Sequence, residues 1–468
     1  MHIQNGWNAD ELARVTQGRW RTAPPSAEWR CDGICAEQGQ FRKTQMLLAR
    51  AGASGLRPHV LERLMARAAG SIAQTGEAQA HWGGPLLEVK DLNEAVAALA
   101  RDSRRRFRGQ VIAVTGSVGK TSTVAMAAHA LSGVGPSDCS QTTANSLFGI
   151  GWNIASMNRN ASFWVQEVAF ARMEACSALI QAHVAIVTAI APAHVARVGD
   201  TAEIARQKAL VYTGMAPGGI AVINADMPEF PIFESSAQAA RLRVVRFGST
   251  KDCDVRLIRI EGSTVSVDVF GEVHNFELGA AGRHMAMNAT AVLASTAAMG
   301  LPTSSVARQL ASFKPLPGRG RRVRTVHANG NIEVWDEAYN ANPASMRAAL
   351  QVLSDAAPKE VPYASRVLVL GDMLELGKDA EAMHLALEAD VRAARPDRVL
   401  LCGKLTHALS SRLHGDIKGQ WFEDVDALLP ALDAWIKHGD VVLVKSSHGI
   451  GLTQVVTRLL RPAPGAAA

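Results

Sequence analysis

The segment "TGSVGKTS", residues 115 to 122, combines residue types that hold a polyphosphate. Gly116 and Gly119 let backbone N–H groups turn inward onto phosphate oxygens, and a following helix aims its positive end at the same place. Lys120 reaches the outer phosphates and Thr121 offers a hydroxyl to Mg²⁺. Thr115, Ser117, Val118 and Ser122 complete the loop. The longer form of this motif places a glycine at position 114, where this chain has Val114, so the loop is of the shorter T-G-x-x-G-K-T type. A phosphate loop alone does not specify a reaction, because motors, switches, kinases and ligases all use one.

Further along, Glu167 closes the apolar run "VQEVAF". A carboxylate at a strand end suits a hard cation bound through oxygens, and it also suits a helix cap or the surface. "TTANSLFGIGWN" brings Thr142, Thr143 and Asn145 together in a stretch of small polar residues. His194 follows a strand end and Lys208 sits on a later helix. Taken alone, such a histidine is expected to be structural and such a lysine to face solvent.

These residues need elements to hold them. The chain has 468 residues, 48% hydrophobic and 20% charged, which fits a globular enzyme of several domains rather than a disordered chain. The first hundred residues mix short apolar segments with helical patterns. "NADELARVTQG" starts at a cap, Asn8, and "LERLMARAAGSIAQ" carries helical spacing throughout. "PLLEVKDLNEAVAALARDSRRR" reads as a strand and then a helix ending in arginines. From Val111 onward, "VIAVTG", "SFWVQEVAF", "VAIVTAI" and "GIAVINADM" are buried strands at crossover intervals, the pattern of a parallel sheet covered on both faces. "DVRLIRIEGSTVSVDVFGEVHNFEL" alternates with period two and reads as an antiparallel insertion. "HMAMNATAVLASTAAMG" is a helix ended by Gly300. The prolines and glycines of "FKPLPGRGRR" mark a linker, after which "IEVWDEAY", "SRVLVLGDM", "DRVLLCG" and "DVVLVKSS" repeat the strand pattern of an α/β domain.

Net charge is +6. The basic run "RDSRRRFRG" admits a nucleic-acid or anion patch, but no aromatic residues interleave it. A helix end at a domain junction is favoured, and no nucleic-acid partner is expected. The six cysteines lack a zinc spacing, and reduced thiols are expected. No stretch is long and apolar enough to span a bilayer, and the opening "MHIQNGWNAD" has no basic-then-apolar leader pattern. The expectation is a cytoplasmic protein, a monomer or weak dimer.

Four further segments carry a resemblance. "DEAYNANPASM" (336–346), "LGDMLELGKDAEAMH" (370–384), "VLVKSSHGIGL" (442–452) and "PGRGRR" (317–322) occur in the order found in the Mur ligases. Over 108–468 the chain resembles that family, closest to its branch that adds D-alanyl-D-alanine to UDP-N-acetylmuramoyl-tripeptide. The resemblance implies an α/β protein of three domains. These are a small α/β acyl-substrate domain over 1–108, a central P-loop parallel-sheet ATPase domain with the antiparallel insertion over 109–314, and a Rossmann-like amine-substrate domain over 315–468. It implies ATP and two Mg²⁺ ions as cofactors, held by Thr121 and Glu167, by His194, and by Lys208 carrying CO₂ as a carbamate. It implies that Lys120, Lys208 and His194 are catalytic, and that Asn288, Arg319 and Asp336 contact the nucleotide. Thr142, Thr143, Asn145, Tyr339, Asn340, Asn342 and Lys445 are then expected at the substrates. Met285 stands where the family has a second asparagine.

The implied reaction joins a small-molecule carboxylate to an amine. ATP phosphorylates the acid, and the amine displaces phosphate from the acyl phosphate. In the N-terminal segment, "CDGICAEQGQF" keeps Asp32 and Gly39 of the branch's sugar-nucleotide motif but has Gly33 and Ile34 for its serine and arginine. Pro58 precedes His59 where that branch has glycine. Two substrate readings stay open, the cell-wall precursor or another acid in a specialised pathway. A third reading is a relative that binds nucleotide without catalysis. Lys120, Glu167 and Lys208 are all present, which weighs against it.

Overall fold

The computed structural model describes residues 6–50, 57–77, 83–141, 144–169, 172–191, 200–355, 365–413, 415 and 417–461. Three large sheets organise them, one per domain, and a short antiparallel pairing of Trp7–Asn8 with Arg30–Cys31 makes a fourth, in the first domain.

In the first domain, α1 (Ala9–Thr16) begins at Asn8, whose side chain accepts from Glu11 N in a reciprocal capping box. The strands β1 (Arg19–Thr22), β2 (Ile34–Cys35), β3 (Met46–Leu48), β4 (Gly70–Gln74) and β5 (Leu86–Val89) form a sheet in the order β1-β5-β4-β3-β2. All its pairings are parallel except β1 with β5. The helix expected through "LERLMARAAGSIAQ" stops early: α2 spans Pro58–Met65, a turn follows over 66–69, and β4 takes Gly70–Gln74. Small apolar residues serve either period, and neighbours decide. Gly70–Gln74 pairs in parallel with β3 on one side and β5 on the other, and at Gly70 an added Cβ would come within 2.8 Å of Met46 Sδ.

The arginine-rich helix α3 (Leu92–Arg106) is a junction, as its position suggests. Arg104 donates to the carbonyls of Ile180 and Gln181 in the next domain at 2.7 and 2.8 Å, satisfying a helix end that has no partners of its own. Arg106 pairs with Glu11 and Asp102.

The central sheet has nine strands. β6 (Gln110–Thr115), β7 (Ser137–Cys139), β8 (Phe163–Glu167), β9 (Val184–Val187), β10 (Ile220–Asn224) and β11 (Arg243–Gly248) are parallel. The period-two segment forms β12 (Val255–Glu261), β13 (Thr264–Val269) and β14 (Glu272–Glu277). This meander is not a separate layer. It extends the same sheet through Phe247↔Val255, giving the order β14-β13-β12-β11-β10-β9-β6-β8-β7. The chain leaves β6 on one side and returns on the other, and in open α/β sheets ligands gather at the carboxyl ends around such a switch point. Helices α4 (Lys120–Leu131), α5 (Leu147–Ala155), α6 (Thr201–Ala209) and α7 (Arg283–Ala298) connect or cover these strands. Gly300, at φ +71, lies just past the end of α7.

The third sheet joins β15 (Arg321–His327), β16 (Gly330–Glu337), β17 (Arg366–Gly371), β18 (Arg398–Cys402), β19 (Lys418–Phe422) and β20 (Val441–Lys445) in the order β15-β16-β20-β17-β18-β19. It is parallel apart from β15 with β16. Helix α8 (Pro343–Asp355) follows β16, and α9 (Thr406–Leu413) follows β18. All six cysteines are free thiols. Among the described residues, no helix is long and apolar enough to cross a membrane.

Candidate active site

The phosphate loop leaves β6 at Thr115 and enters α4 at Lys120. Its shape is enforced by the two residues that follow β9. Ser117 N donates to Ala189 O at 2.7 Å, and Thr188 Oγ1 donates to Val118 O at 2.6 Å. Gly119 takes a left-handed φ of +83, and a Cβ there would lie 2.9 Å from Asn288 Oδ1. Only glycine lets the loop turn so tightly against α7. Lys120 Nζ donates to Gly116 O at 2.9 Å and Ser117 O at 3.3 Å, which keeps the ammonium at the mouth of the loop. Ser117, Val118, Thr121, Ser122 and Asn288 line the same cavity, of about 640 Å³. Thr115 lies behind it, its hydroxyl donating to Val168 O.

Glu167 ends β8 with its side chain buried. Its Oε2 accepts from Thr121 Oγ1 at 2.6 Å and its Oε1 from Asn145 Nδ2 at 2.8 Å. Two oxygen donors beside a phosphate loop fit Mg²⁺, which keeps several waters and takes its remaining ligands from phosphates. No cluster of three His, Cys, Asp or Glu suited to a metal occurs among the described residues.

Lys208, expected on a solvent face, is instead 4% exposed in the last turn of α6. The reason is tertiary: the side chain turns toward the phosphate loop and lines the cavity. Burial holds its pKa well below the usual lysine value. The charge of Lys120 adds to that depression and Glu167 opposes it. Lys120 is also lowered, first by burial.

The opposite wall belongs to the third domain and the linker. Arg319 stacks over the Tyr339 ring at 4.3 Å, and Tyr339 packs on His448 with ring centroids 5.3 Å apart. Lys445 is buried, donates to Asn340 O at 3.0 Å, and lies 3.4 Å from Glu337 Oε2. Asn340 and Asn342 line the cavity, Asn342 also capping the turn into α8 through Ser345 N at 2.9 Å.

Asp336 points elsewhere. Its Oδ2 accepts from Gly318 N at 2.7 Å and its Oδ1 from Ala338 N at 3.2 Å, so its visible work is to pin the linker turn. The acid that reaches the cavity is its neighbour Glu337, absent from the sequence-based site along with His284, Asn224 and Thr188. Adjacent residues of a strand face opposite ways, so two consecutive acids at the end of β16 announce that one of them looks into the cleft. Met285 accepts weakly from Asn288 Nδ2, Sδ being 3.8 Å away. Thr142, Thr143 and His194 lie outside the described residues.

Residues 114–296 match the Mur ligase middle domain and residues 321–448 the Mur ligase glutamate ligase domain. The UDP-N-acetylmuramoyl-tripeptide–D-alanyl-D-alanine ligase of Escherichia coli is 31% identical, the match covering 80% of this chain and 82% of that one. The chain belongs to the Mur ligase family. The Mur ligase of this name from Bacillus subtilis is 27% identical over 80% of this chain and 81% of its own. Among solved structures, MurF from Acinetobacter baumannii covers 97% of this chain and 99% of its own with a TM-score of 0.79 at 24% identity. MurF from Thermotoga maritima, in complex with ADP, covers 91% and 96% with a TM-score of 0.70 at 21% identity. The three-domain fold is therefore that of the Mur ligases over nearly the whole chain, and the protein is a Mur-type ATP-dependent ligase that forms C–N bonds.

Proposed function

We propose that this ligase joins the terminal carboxylate of a UDP-N-acetylmuramoyl-tripeptide to the amine of D-alanyl-D-alanine, as the relatives so named do. The observation that carries the reading is that the phosphate loop, the Glu167–Thr121 pair and the Lys445–Glu337 wall share one cavity with Arg319 at its hinge. An acid must be activated and then met by an amine in one enclosed place, and this cavity has both ends.

The substrate carboxylate attacks the γ-phosphorus of ATP, forming an acyl phosphate and ADP. Amine nitrogen then adds to the acyl carbon, and phosphate leaves. Lys120 neutralises charge gathering on the transferred phosphoryl group. Thr121 and Glu167 are the groups that would hold Mg²⁺, which supplies charge neutralisation to the triphosphate when bound. Lys208 is suited to carry the CO₂-derived carbamate, because burial keeps its amine in the neutral form that reacts with CO₂. His194 belongs with a second ion in this scheme. The glycines at 318 and 320, with φ of +76 and +94, give the linker the freedom to close the third domain over the acyl phosphate and exclude water. Asn288 and Arg319 are assigned to the nucleotide, and Tyr339, Asn340, Asn342 and Lys445 to the amine substrate. Thr142, Thr143 and Asn145 are assigned to substrate binding in this scheme. A cytoplasmic monomer or weak dimer fits this role.

One observation favours a second reading, in which another acid is activated. Ile34, standing where the branch has arginine, is fully buried. Its backbone exchanges hydrogen bonds with Ser156 Oγ at 2.9 and 2.8 Å, so it anchors the first domain to α5 and offers no charge to a diphosphate.

The test is ADP release from the purified protein given ATP, Mg²⁺, UDP-N-acetylmuramoyl-tripeptide and D-alanyl-D-alanine. Saturable turnover that disappears in Lys120→Ala is the expected result. No turnover with this acid, but turnover with other acids, selects the second reading.

A further inference from the structure

Amide formation needs more than an activated acid. A free amino group has an ordinary pKa near 7.7–8.0, so at neutral pH most of it arrives as ammonium and has no lone pair to attack with. Two carboxylates line the described part of the cavity, Glu167 and Glu337. Glu167 has both oxygens occupied, by Thr121 and Asn145, at the phosphate end. Glu337 is held differently. It is the last residue of β16 and pairs in register with Lys445, the last residue of β20, so their side chains project together at the carboxyl end of the sheet. Lys445 Nζ engages Oε2 alone, at 3.4 Å. Lys445 is 1% exposed while Glu337 keeps 18% of its side chain open, so the lysine backs the carboxylate and the carboxylate meets the cavity. The backbone opposite leaves room for it. At Gly320 a Cβ would stand 3.2 Å from Oε1, and glycine at φ +94 has none. The charged and titratable groups facing Glu337 are Lys445 from β20, His284 from the start of α7, Arg322 from β15 and Asp336 from its own strand.

We propose that Glu337 is the catalytic carboxylate that docks the incoming ammonium and accepts its proton, with Lys445 as its positioning residue. This inference rests on the acyl-phosphate reading above. The step balances as follows. Ammonium gives one proton to the Glu337 carboxylate, and the freed nitrogen lone pair forms the C–N bond at the acyl carbon. The acyl C–O bond to phosphorus breaks with its electron pair on phosphate, and the second nitrogen proton leaves on that phosphate. A neutral nucleophile needs no such acceptor, which separates this role from a structural one.

The experiment compares wild type and Glu337→Gln with ATP, Mg²⁺ and UDP-N-acetylmuramoyl-tripeptide. The nucleophile is either D-alanyl-D-alanine or hydroxylamine, which traps the acyl phosphate as a neutral amine. At pH 7.5, amide formation by the variant falls about 3–4-fold relative to hydroxamate formation, because an amine of pKa about 7.7–8.0 is only about a quarter to two fifths free at that pH. The deficit shrinks as pH rises and free amine accumulates, and Glu337→Asp recovers part of the rate. Equal losses with both nucleophiles at every pH, or an undiminished amide rate, overturn the inference and leave the ligase reading standing. A wild type that makes neither product from this acid overturns the acid assignment, and this inference with it.

Discussion

Lys208→Met tests the electrostatics of the site without requiring a substrate. The folded protein holds Lys208 well below its ordinary pKa, chiefly by burial. Between its folded pKa and its unfolded value near 10.4, the unfolded chain binds more protons at this position than the folded one. Stability contributed by the neutral amine therefore rises with pH across that window. A single group can contribute at most about 1.4 kcal/mol per pH unit. For a domain of about 200 residues, 1 kcal/mol moves the thermal midpoint by about 2–4 °C, so the ceiling is about 3–6 °C per pH unit. Methionine fills similar volume and does not titrate. The assay follows the transition that ADP shifts upward, the mark of the central domain, in CO₂-free buffers from pH 7 to pH 9. The wild-type midpoint gains on that of Lys208→Met as pH rises, by no more than that ceiling. Added bicarbonate raises the wild-type midpoint only. A difference that is flat in pH, or that shrinks as pH rises, refutes the claim that Lys208 is buried as a neutral amine.

Two predictions concern the framework. Gly119→Ala forces a Cβ to 2.9 Å from Asn288 Oδ1 at a left-handed φ. A strain of about 1–2 kcal/mol corresponds to an ADP affinity about 5–30-fold weaker by titration calorimetry, and unchanged affinity would show that the loop takes another shape on binding. In the third domain, Asp440 is buried and accepts from Arg398 Nη2 at 2.6 Å and Lys437 N at 2.6 Å. Asp440→Ala strands a buried guanidinium and lowers stability by about 3–5 kcal/mol in urea titration. A loss under 1 kcal/mol would mean that water replaces the carboxylate.

Much of this architecture was legible because its strands are buried on both faces and so read as unbroken apolar runs, as "VIAVT" and "VLVLG" do. The phosphate loop was legible because its glycines, lysine and threonine act within a few residues of one another. What escaped depends on contacts distant in sequence. Nothing near Lys208 reveals that α6 turns its last turn toward the phosphate loop. Nothing near Gly70 reveals that Met46–Leu48 lies beside it as a strand partner. Asp336 and Glu337 are adjacent and chemically alike, and only the register of β16 against β20 decides which one reaches the cavity. Arg104 was legible as a junction residue but not in its partners, since Ile180 and Gln181 come from another domain.

The distribution of charge explains why such a site has a hinge. Lys120 and Lys208 gather with Glu167 at the phosphate end, and Lys445 sits with Glu337 at the other. Arg319 belongs to the linker between them, and its charge bears on Lys120 and on Lys445 alike, lowering both. Even with Lys208 neutral, the three cations Lys120, Lys445 and Arg319 outnumber the two carboxylates among the described lining residues, and each lysine is depressed chiefly by burial. A triphosphate removes that excess at one end and attracts Arg319, which carries Tyr339 on its face. A ligand shifts a conformational equilibrium only by contacts that differ between the states, and Arg319 supplies such a contact. In the proposed scheme, nucleotide binding therefore favours the arrangement that brings the Lys445–Glu337 wall toward the phosphate end, through the one cation that the linker supplies.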